Sequence, residues 1–108
     1  MSQLSKKSCV PCQEGVAPLG PEEYAPLLAK LGKGWQVVNH HHLEKEFHFD
    51  NFVDALAFVN QVGAIAEQEG HHPNLFLTWG HVKIQIWTHK IDGLSESDFI
   101  LAAKSDLS

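Results

Sequence analysis

Residues 50–89, DNFVDALAFVNQVGAIAEQEGHHPNLFLTWGHVKIQIWTH, contain the change of hydrophobic period that decides the fold. Up to Gly70, apolar residues recur every three or four positions, which predicts an amphipathic helix. Asp50 or Asn51 can cap its start, and Gly70 is a typical stop. The expected apolar stripe of this helix consists of Phe52, Leu56, Val59, Val62 or Gly63, and Ala66.

The residues after Gly70 change to an alternation of period two, which predicts a β-hairpin. Its strands are expected at residues 75–78 and 82–89, with a turn at residues 79–81. One face of the second strand carries Val82, Ile84 and Ile86, and the other carries Lys83, Gln85, Trp87 and His89. His89 is therefore expected at the end of that strand.

The N-terminal half predicts a helix and two further strands. Pro21, followed by two acidic residues, favours a helix start. Pro26 is unfavourable inside a helix and predicts a shorter one that begins nearer Ala25. Residues 35–49 are rich in β-forming side chains and predict two strands, with a turn near residues 40–44.

Ser95 and Asp98 predict a capping box that opens a last helix. The predicted order is therefore helix-β-β-helix-β-β-helix. Paired strands separated by helices favour an α+β fold, in which a four-stranded antiparallel sheet has its helices packed on one face. Residues 1–20 show little periodicity and are expected to form a flexible N-terminal arm, ahead of a single domain at residues 21–108.

Composition narrows the classes of function. The chain of 108 residues has 8 basic and 13 acidic residues and a formal net charge of -5. That balance argues against nucleic-acid binding, which needs clustered Lys and Arg. No apolar run approaches the roughly 20 residues that span a membrane, and the start lacks the apolar stretch of a secretory signal. We expect a cytoplasmic protein that binds small molecules or protein partners.

The eight histidines supply the candidate chemistry. An imidazole has an unperturbed pKa of about 6.5 and exchanges protons near neutral pH. His71 and His72 directly follow the long helix, and Pro73 biases His72 toward extended backbone. Their rings are expected to diverge and to grip two sides of one small ligand. Glu67, one helical turn upstream, is a candidate to orient an imidazole, and His89 is expected near the same point.

The other histidines and the cysteines favour simpler interpretations. The histidines expected to be ordinary half-exposed side chains are His40, His41, His42 and His81. His48 is expected at an exposed position of the sheet. Cys9 and Cys12, in the stretch CVPC, are interpreted as two thiols in a mobile tail. A zinc site completed by histidines or by a second chain, and a redox site, remain open alternatives.

Three stretches resemble pterin-4a-carbinolamine dehydratases: EQEGHHP at residues 67–73, the aromatic hairpin ending in WTH, and GLSESDFILAAKSD at residues 93–106. The resemblance runs from about Pro21 to the end, and the CVPC arm is similar to that of bacterial members associated with phenylalanine hydroxylation. The fold that it implies is a four-stranded antiparallel sheet with helices on one side, in agreement with the predicted element order. It also implies homodimers that join sheets edge to edge, or homotetramers.

The resemblance implies removal of water from 4a-hydroxytetrahydropterin to give quinonoid dihydropterin, which recycles the pterin cofactor of aromatic amino acid hydroxylases. The implied catalytic residues are His71, His72 and His89, with His71 and His89 as the acid–base pair. The implied substrate-binding residues are Glu67, Pro73, Thr88 and Asp98, and Trp79 occupies an aromatic position near the site. Neither a metal nor a cofactor other than the pterin substrate is implied. A hydroxylase is the implied functional partner.

Two positions depart from the family pattern. Gly70 stands where many relatives have an acidic residue, and Leu75 stands where some have an aromatic one. Two other functions also remain open. One is a non-catalytic dimerisation cofactor, implied by a family member that binds a homeodomain transcription factor. The other is a metalloprotein built on the histidine-rich strand and CVPC.

Overall fold

The computed structural model describes residues 3–9 and 17–107. Its centre is an antiparallel sheet of four strands, which in chain order are β1 (Gln36–Val38), β2 (His42–His48), β3 (Asn74–Thr78) and β4 (His81–Ile86). Across the sheet the order is β1, β2, β4, β3, so that β1 and β3 are the edges. The longest ladder joins β2 to β4, from Leu43 opposite Ile86 to His48 opposite His81.

The helices are α1 (Pro21–Ala29), α2 (Phe52–Glu69) and α3 (Glu96–Ser105), with short 3₁₀ helices at Gln3–Lys6 and His89–Ile91. Helices α2 and α3 pack on the sheet. Alternate strand residues are fully buried beneath them, including Leu43, Val82, Ile84 and Ile86. The predicted α+β fold and the predicted order of its elements are confirmed. Within the described ranges, no helix is long and apolar enough to cross a membrane.

Helix α2 has the predicted ends but a rotated apolar face. Asn51 Oδ1 accepts a hydrogen bond from the Asp54 amide at 2.8 Å, and Gly70 ends the helix with a positive φ of 64°. The buried residues are Ala55, Phe58, Val62 and Ala66. Phe52 and Leu56, which were predicted in the stripe, are 43% and 40% exposed.

The ring of Phe58 explains this rotation. It packs against Phe47 and Phe49, with ring centroids 4.6 and 5.2 Å apart. Aromatic burial at this corner selects one of two adjacent apolar stripes, which the helical period alone does not distinguish.

Helix α1 begins at Pro21, so the start favoured by the proline and its two acidic neighbours is confirmed and the alternative start near Ala25 is wrong. Pro26 lies inside the helix. A proline there removes the intrahelical bond that its amide would donate four residues back. Near the start of a short helix this is one bond, and burial of Tyr24 favours the continuous helix.

One turn and one strand end lie earlier than predicted. The β1–β2 turn is centred on Asn39 and His40, both with positive φ, and the His41 amide donates to the Val38 carbonyl at 2.9 Å. Strand β4 ends at Ile86, three residues before the predicted end. His89 therefore opens a 3₁₀ helix and does not end a strand.

Part of the N-terminal arm is docked on the helices. Leu4 is buried in the core, and Lys104 Nζ donates to the Ser5 carbonyl at 3.0 Å. The Cys9 amide donates to Glu69 Oε1 at 2.8 Å. Residues 3–9 are thus packed against the domain, whereas the sequence suggested a free arm. Cys12 lies outside the described residues.

Candidate active site

His71 is held by a buried carboxylate. The chain leaves α2 at Gly70, and the next ring places its Nε2 2.5 Å from Asp98 Oδ1 in the first turn of α3. Asp98 is 0% exposed. A buried carboxylate needs hydrogen-bond donors around it, and His71 supplies one of them. The other imidazole nitrogen, Nδ1, is left to exchange a proton.

The second carboxylate oxygen of Asp98 accepts two hydrogen bonds. Oδ2 accepts from Thr88 Oγ1 at 2.9 Å and from the Ser95 amide at 2.8 Å. The latter bond is the predicted capping interaction at the start of α3, which is confirmed. Because Thr88 donates its one hydroxyl proton to Asp98, the contact at 2.8 Å between the Ser95 and Thr88 hydroxyls has Ser95 as donor.

His72 forms a different pair. Its Nε2 contacts Glu67 Oε2 at 2.5 Å, and both side chains are more than half exposed. The sequence suggested that Glu67 orients an imidazole, and the structure brings it to His72 and not to His71. Pro73 follows in backbone outside any helix, as expected from its effect on the preceding residue.

His89 opens the 3₁₀ helix after β4, and its ring is exposed. An isolated bridge between Thr88 and Gly93 closes the loop that carries it, with the Thr88 amide donating to the Gly93 carbonyl at 2.8 Å. Among the described residues no side-chain hydrogen bond involves this imidazole. Its ring instead packs on Trp87, with centroids 4.5 Å apart.

The three histidines line one cavity of about 220 Å³. Its walls are Gly70, His71, His72, Trp87, Thr88, His89 and Lys90. Glu67, Pro73 and Asp98 are absent from this lining, and Asp98 lies behind His71. A larger cavity of about 520 Å³ lies along α2 and α3. It contains no histidine, so the chemistry favours the smaller one.

Three residues at the site were not predicted: Trp87, Lys90 and Ser95 as a partner of Thr88. The sequence predicted Trp87 on the polar face of its strand. Its position two residues before His89 was the feature that could have indicated a place at the site. Lys90 follows His89 directly, but a lone lysine in a loop carries no specific pattern.

The histidines expected to be ordinary side chains have partners. His40 Nδ1 contacts the Tyr24 hydroxyl at 2.5 Å, and His81 Nε2 contacts Glu46 Oε1 at 2.8 Å. His48 is exposed on the sheet, as predicted. Over the described ranges, no cluster of three or more His, Cys, Asp or Glu side chains could hold a metal ion.

Comparison with known proteins supports the resemblance. The family model described as pterin 4 alpha carbinolamine dehydratase matches residues 17–107. Proteins named "Putative pterin-4-alpha-carbinolamine dehydratase" from Alkaliphilus metalliredigens and Rickettsia canadensis are 53% and 57% identical to this chain. These matches cover 98% and 96% of this chain, and 96% and 95% of the two relatives.

Two solved structures are similar as well. A transcriptional coactivator/pterin dehydratase from Brucella melitensis superposes with a TM-score of 0.78 at 31% identity, covering 83% of this chain and 96% of that one. A pterin dehydratase-like protein, described as a RuBisCO assembly factor in the alpha-carboxysome, has a TM-score of 0.60 at 25% identity, covering 68% and 87%. With the family model and relatives above 50% identity over nearly the whole length, this chain belongs to the pterin 4 alpha carbinolamine dehydratase family, whose reaction class is that of the hydro-lyases.

Proposed function

We propose that this protein dehydrates a 4a-hydroxytetrahydropterin to quinonoid dihydropterin. The observation that carries the proposal is the cavity lined by His71, His72 and His89, one of which is held by the buried Asp98. Membership of the family and the names of the relatives support the same reaction.

The reaction is a balanced exchange of protons. The bond between carbon 4a and its hydroxyl oxygen breaks, and the oxygen leaves as water after an acid has protonated it. The neighbouring ring nitrogen loses a proton to a base as its electron pair forms the new C=N bond. One proton enters and one leaves, so the enzyme ends with the protons it began with. Positioned acid–base catalysis of this kind contributes about 10² to 10⁴ in rate.

His71 is the proposed base. Asp98 accepts its Nε2–H, which leaves Nδ1 free to take the substrate proton. A carboxylate in this position keeps the ring in one tautomer and stabilises the imidazolium that forms. Asp98 cannot reach a ligand, because His71, Thr88 and Ser95 occupy its oxygens. We therefore assign it a positioning role in place of the substrate contact that the resemblance implied.

His89 is the proposed acid that protonates the leaving hydroxyl. Neither ring nitrogen has a hydrogen-bond partner among the described residues, so both are free to face the substrate. His72 completes the catalytic set by binding the substrate and sharing in proton transfer, with Glu67 orienting its ring. Pro73 keeps His72 extended, and Thr88 acts through Asp98. These transfers need no metal and no redox cofactor.

The same proposal includes the cellular setting. A 4a-hydroxypterin is the product of a pterin-dependent hydroxylation, so an aromatic amino acid hydroxylase is the proposed source of the substrate. A homodimer or homotetramer is the proposed state. Strand β3 is an unpaired edge of the sheet, and such edges are usually covered.

The test is formation of quinonoid dihydropterin from 4a-hydroxytetrahydropterin, compared between wild type, His71→Ala and His89→Ala. Each variant is expected to lose at least 100-fold in kcat, since each removes one proton-transfer group. His48→Ala is the matched control, because this exposed histidine lies on the open face of the sheet and should retain full activity. Activity of both site variants within twofold of wild type would disprove the assignment.

A second candidate is a role as an interaction protein. Phe52, Val53 and Leu56 form an exposed apolar cluster at the start of α2, and one structural relative is described as an assembly factor. Large exposed apolar side chains that lie together mark interaction surfaces. A partner captured equally by wild type and His71→Ala, but lost in Val53→Asp, would support this function; capture unchanged in Val53→Asp would exclude it.

A further inference from the structure

His89 differs from the other two site histidines in what holds its ring. His71 and His72 each contact a carboxylate. His89 has no such partner among the described residues, and its ring packs on the Trp87 ring, with centroids 4.5 Å apart and an interplanar angle of 57°. An exposed imidazole with two free torsions samples several rotamers unless packing restricts it. The orientation of His89 therefore depends on Trp87.

Trp87 is itself held by two further histidines. His41 and His42 pack on its ring, with centroids 5.1 and 5.8 Å away. Leu43 pairs with Ile86 at the end of the ladder between β2 and β4. His42, the first residue of β2, and Trp87, the residue after β4, come next beyond this pair, so the chain register brings them together. The indole thus lies between the β1–β2 turn and the catalytic histidine.

Asp92 ties the same two segments by a second route. It ends the 3₁₀ helix of His89 with a positive φ of 49°, and its amide donates to the His89 carbonyl at 3.2 Å. Its Oδ1 lies 2.7 Å from His41 Nε2. The loop that carries His89 thus contacts the β1–β2 turn through an exposed side-chain pair as well as through the indole.

The two clamping histidines belong to a row of polar side-chain contacts. Because His41 donates its Nε2–H to Asp92, its Nδ1 is the acceptor in the contact of 3.1 Å with His42 Nδ1. His42 Nε2 is buried and lies 3.5 Å from Glu44 Oε1, but it has no hydrogen-bond partner among the described residues. Glu44 in turn accepts from Gln85 Nε2 at 2.9 Å. This row fixes the rings against which Trp87 rests.

We propose that Trp87, His41, His42 and Asp92 form a positioning cluster that sets the orientation of the His89 imidazole for proton transfer. This inference rests on the proposed function and adds to it a set of residues that touch neither the reacting bonds nor Asp98. Trp87 is the central member, because within the described part of the chain its ring alone packs against both His89 and the two histidines of the β1–β2 turn.

The first experiment measures kcat and KM for Trp87→Ala and Trp87→Phe. Loss of the indole is expected to lower kcat about tenfold and to change KM less than twofold, because misdirection of a catalytic group affects the chemical step. Phe keeps an aromatic surface and should restore kcat to within about threefold of wild type. Equal kcat for wild type and Trp87→Ala would overturn the proposal.

A double-mutant cycle separates positioning from direct substrate stacking. If Trp87 acts through His89, then Trp87→Ala should change kcat less than twofold when His89 is already Ala. An additional tenfold loss in that background would show that the indole acts on the substrate by itself, and would overturn the inference. His41→Ala, in the turn, provides a second variant with an expected loss of about threefold, and His48→Ala is its matched control.

A readout without substrate keeps this inference distinct from the proposed function. In wild type, the ring current of Trp87 should shift the imidazole proton signals of His89 in the NMR spectrum. Those shifts should largely disappear in Trp87→Ala and be partly retained in Trp87→Phe. If the protein has no dehydratase activity but these shifts behave as expected, the proposed function fails and the positioning stands. Wild-type His89 signals at random-coil positions would refute the positioning.

Discussion

Two consecutive residues, His71 and His72, each pair with a carboxylate, but the surroundings of the two pairs differ. Each imidazole Nε2 lies 2.5 Å from a carboxylate oxygen. In the first pair the His71 and Asp98 side chains are 15% and 0% exposed. In the second the His72 and Glu67 side chains are 57% and 79% exposed. Equal distance therefore does not mean equal energy, because water screens one pair and not the other.

The two pairs also differ in how far along the chain the partners lie. Glu67 lies five residues before His72, in the last turn of α2. Asp98 is 27 residues after His71 and reaches it only when α3 packs beside the end of α2. The exposed pair can form whenever α2 forms. The buried pair needs the complete tertiary structure, which makes it a feature of the folded site.

The largest effect is expected for Asp98→Ala. This change leaves the donors of His71, Thr88 and Ser95 without their acceptor in a buried place, and such losses cost about 3–5 kcal/mol. The free energy of unfolding, measured by urea titration, should fall by that amount. Glu67→Ala is the matched control and should lie within about 0.5 kcal/mol of wild type. Similar losses in the two variants would refute the distinction between the pairs.

Activity should also separate the two pairs. Asp98→Asn keeps the size and one acceptor oxygen but removes the charge that stabilises an imidazolium on His71. We expect kcat to fall about 100-fold, or about 2.7 kcal/mol. Glu67→Gln should lower kcat by less than about threefold, because solvent substitutes for an exposed carboxylate. Equal effects in a steady-state assay would show that burial does not set the contribution of each acid.

Gly70 controls both pairs, because it sets the direction in which the chain leaves α2. Its φ of 64° strains any residue with a Cβ, so Gly70→Ala should cost about 1–2 kcal/mol. Gly63→Ala is the control within the same helix, where an added Cβ meets no atom within 4 Å. That change should stabilise by about 0.5–1 kcal/mol. Thermal unfolding measures both, and a stabilised Gly70→Ala would contradict the structure.

The smallest effect involves Cys9, which contacts the last turn of α2 and the first turn of α3. Its Sγ lies 3.5 Å from the Ser97 carbonyl, next to Asp98, and its amide bonds Glu69. Burial, with a contribution from the charge of Glu69, raises the pKa of this thiol from 9.0 to about 11. The unfolded state therefore releases its proton first, and this contribution to stability is complete below pH 9 and is lost as the pH rises toward 11.

Cys9→Ala checks this contribution, because it removes the titrating group. The slope of unfolding free energy against pH between 9 and 11 should be shallower in Cys9→Ala than in wild type, with the two curves parallel below pH 8. A curve for Cys9→Ala that falls as steeply as that of wild type would contradict a half-buried neutral thiol.

Local patterns in the sequence were sufficient for most of the fold. The ends of α2 follow from Asn51 and Gly70, and the start of α3 follows from Ser95 and Asp98. The inward face of β4 follows from its alternation. The exceptions have tertiary causes. The packing of Phe58 against Phe47 and Phe49 determines which face of α2 is buried. His89 lies in a 3₁₀ helix, although the alternation of the sequence predicted that the strand continues to this residue.

The site divides in the same way. The sequence alone identified the three histidines of the site and the resemblance to the family. It also predicted the bend that Gly70 and Pro73 impose around two of these histidines. Caps, turns and periodicity involve residues a few positions apart, so the chain determines them before it folds. The tertiary structure alone decided that Asp98 holds His71 and that Trp87 lies against His89. Those pairings depend on which elements pack together and on how much water they exclude, and these are properties of the assembled core.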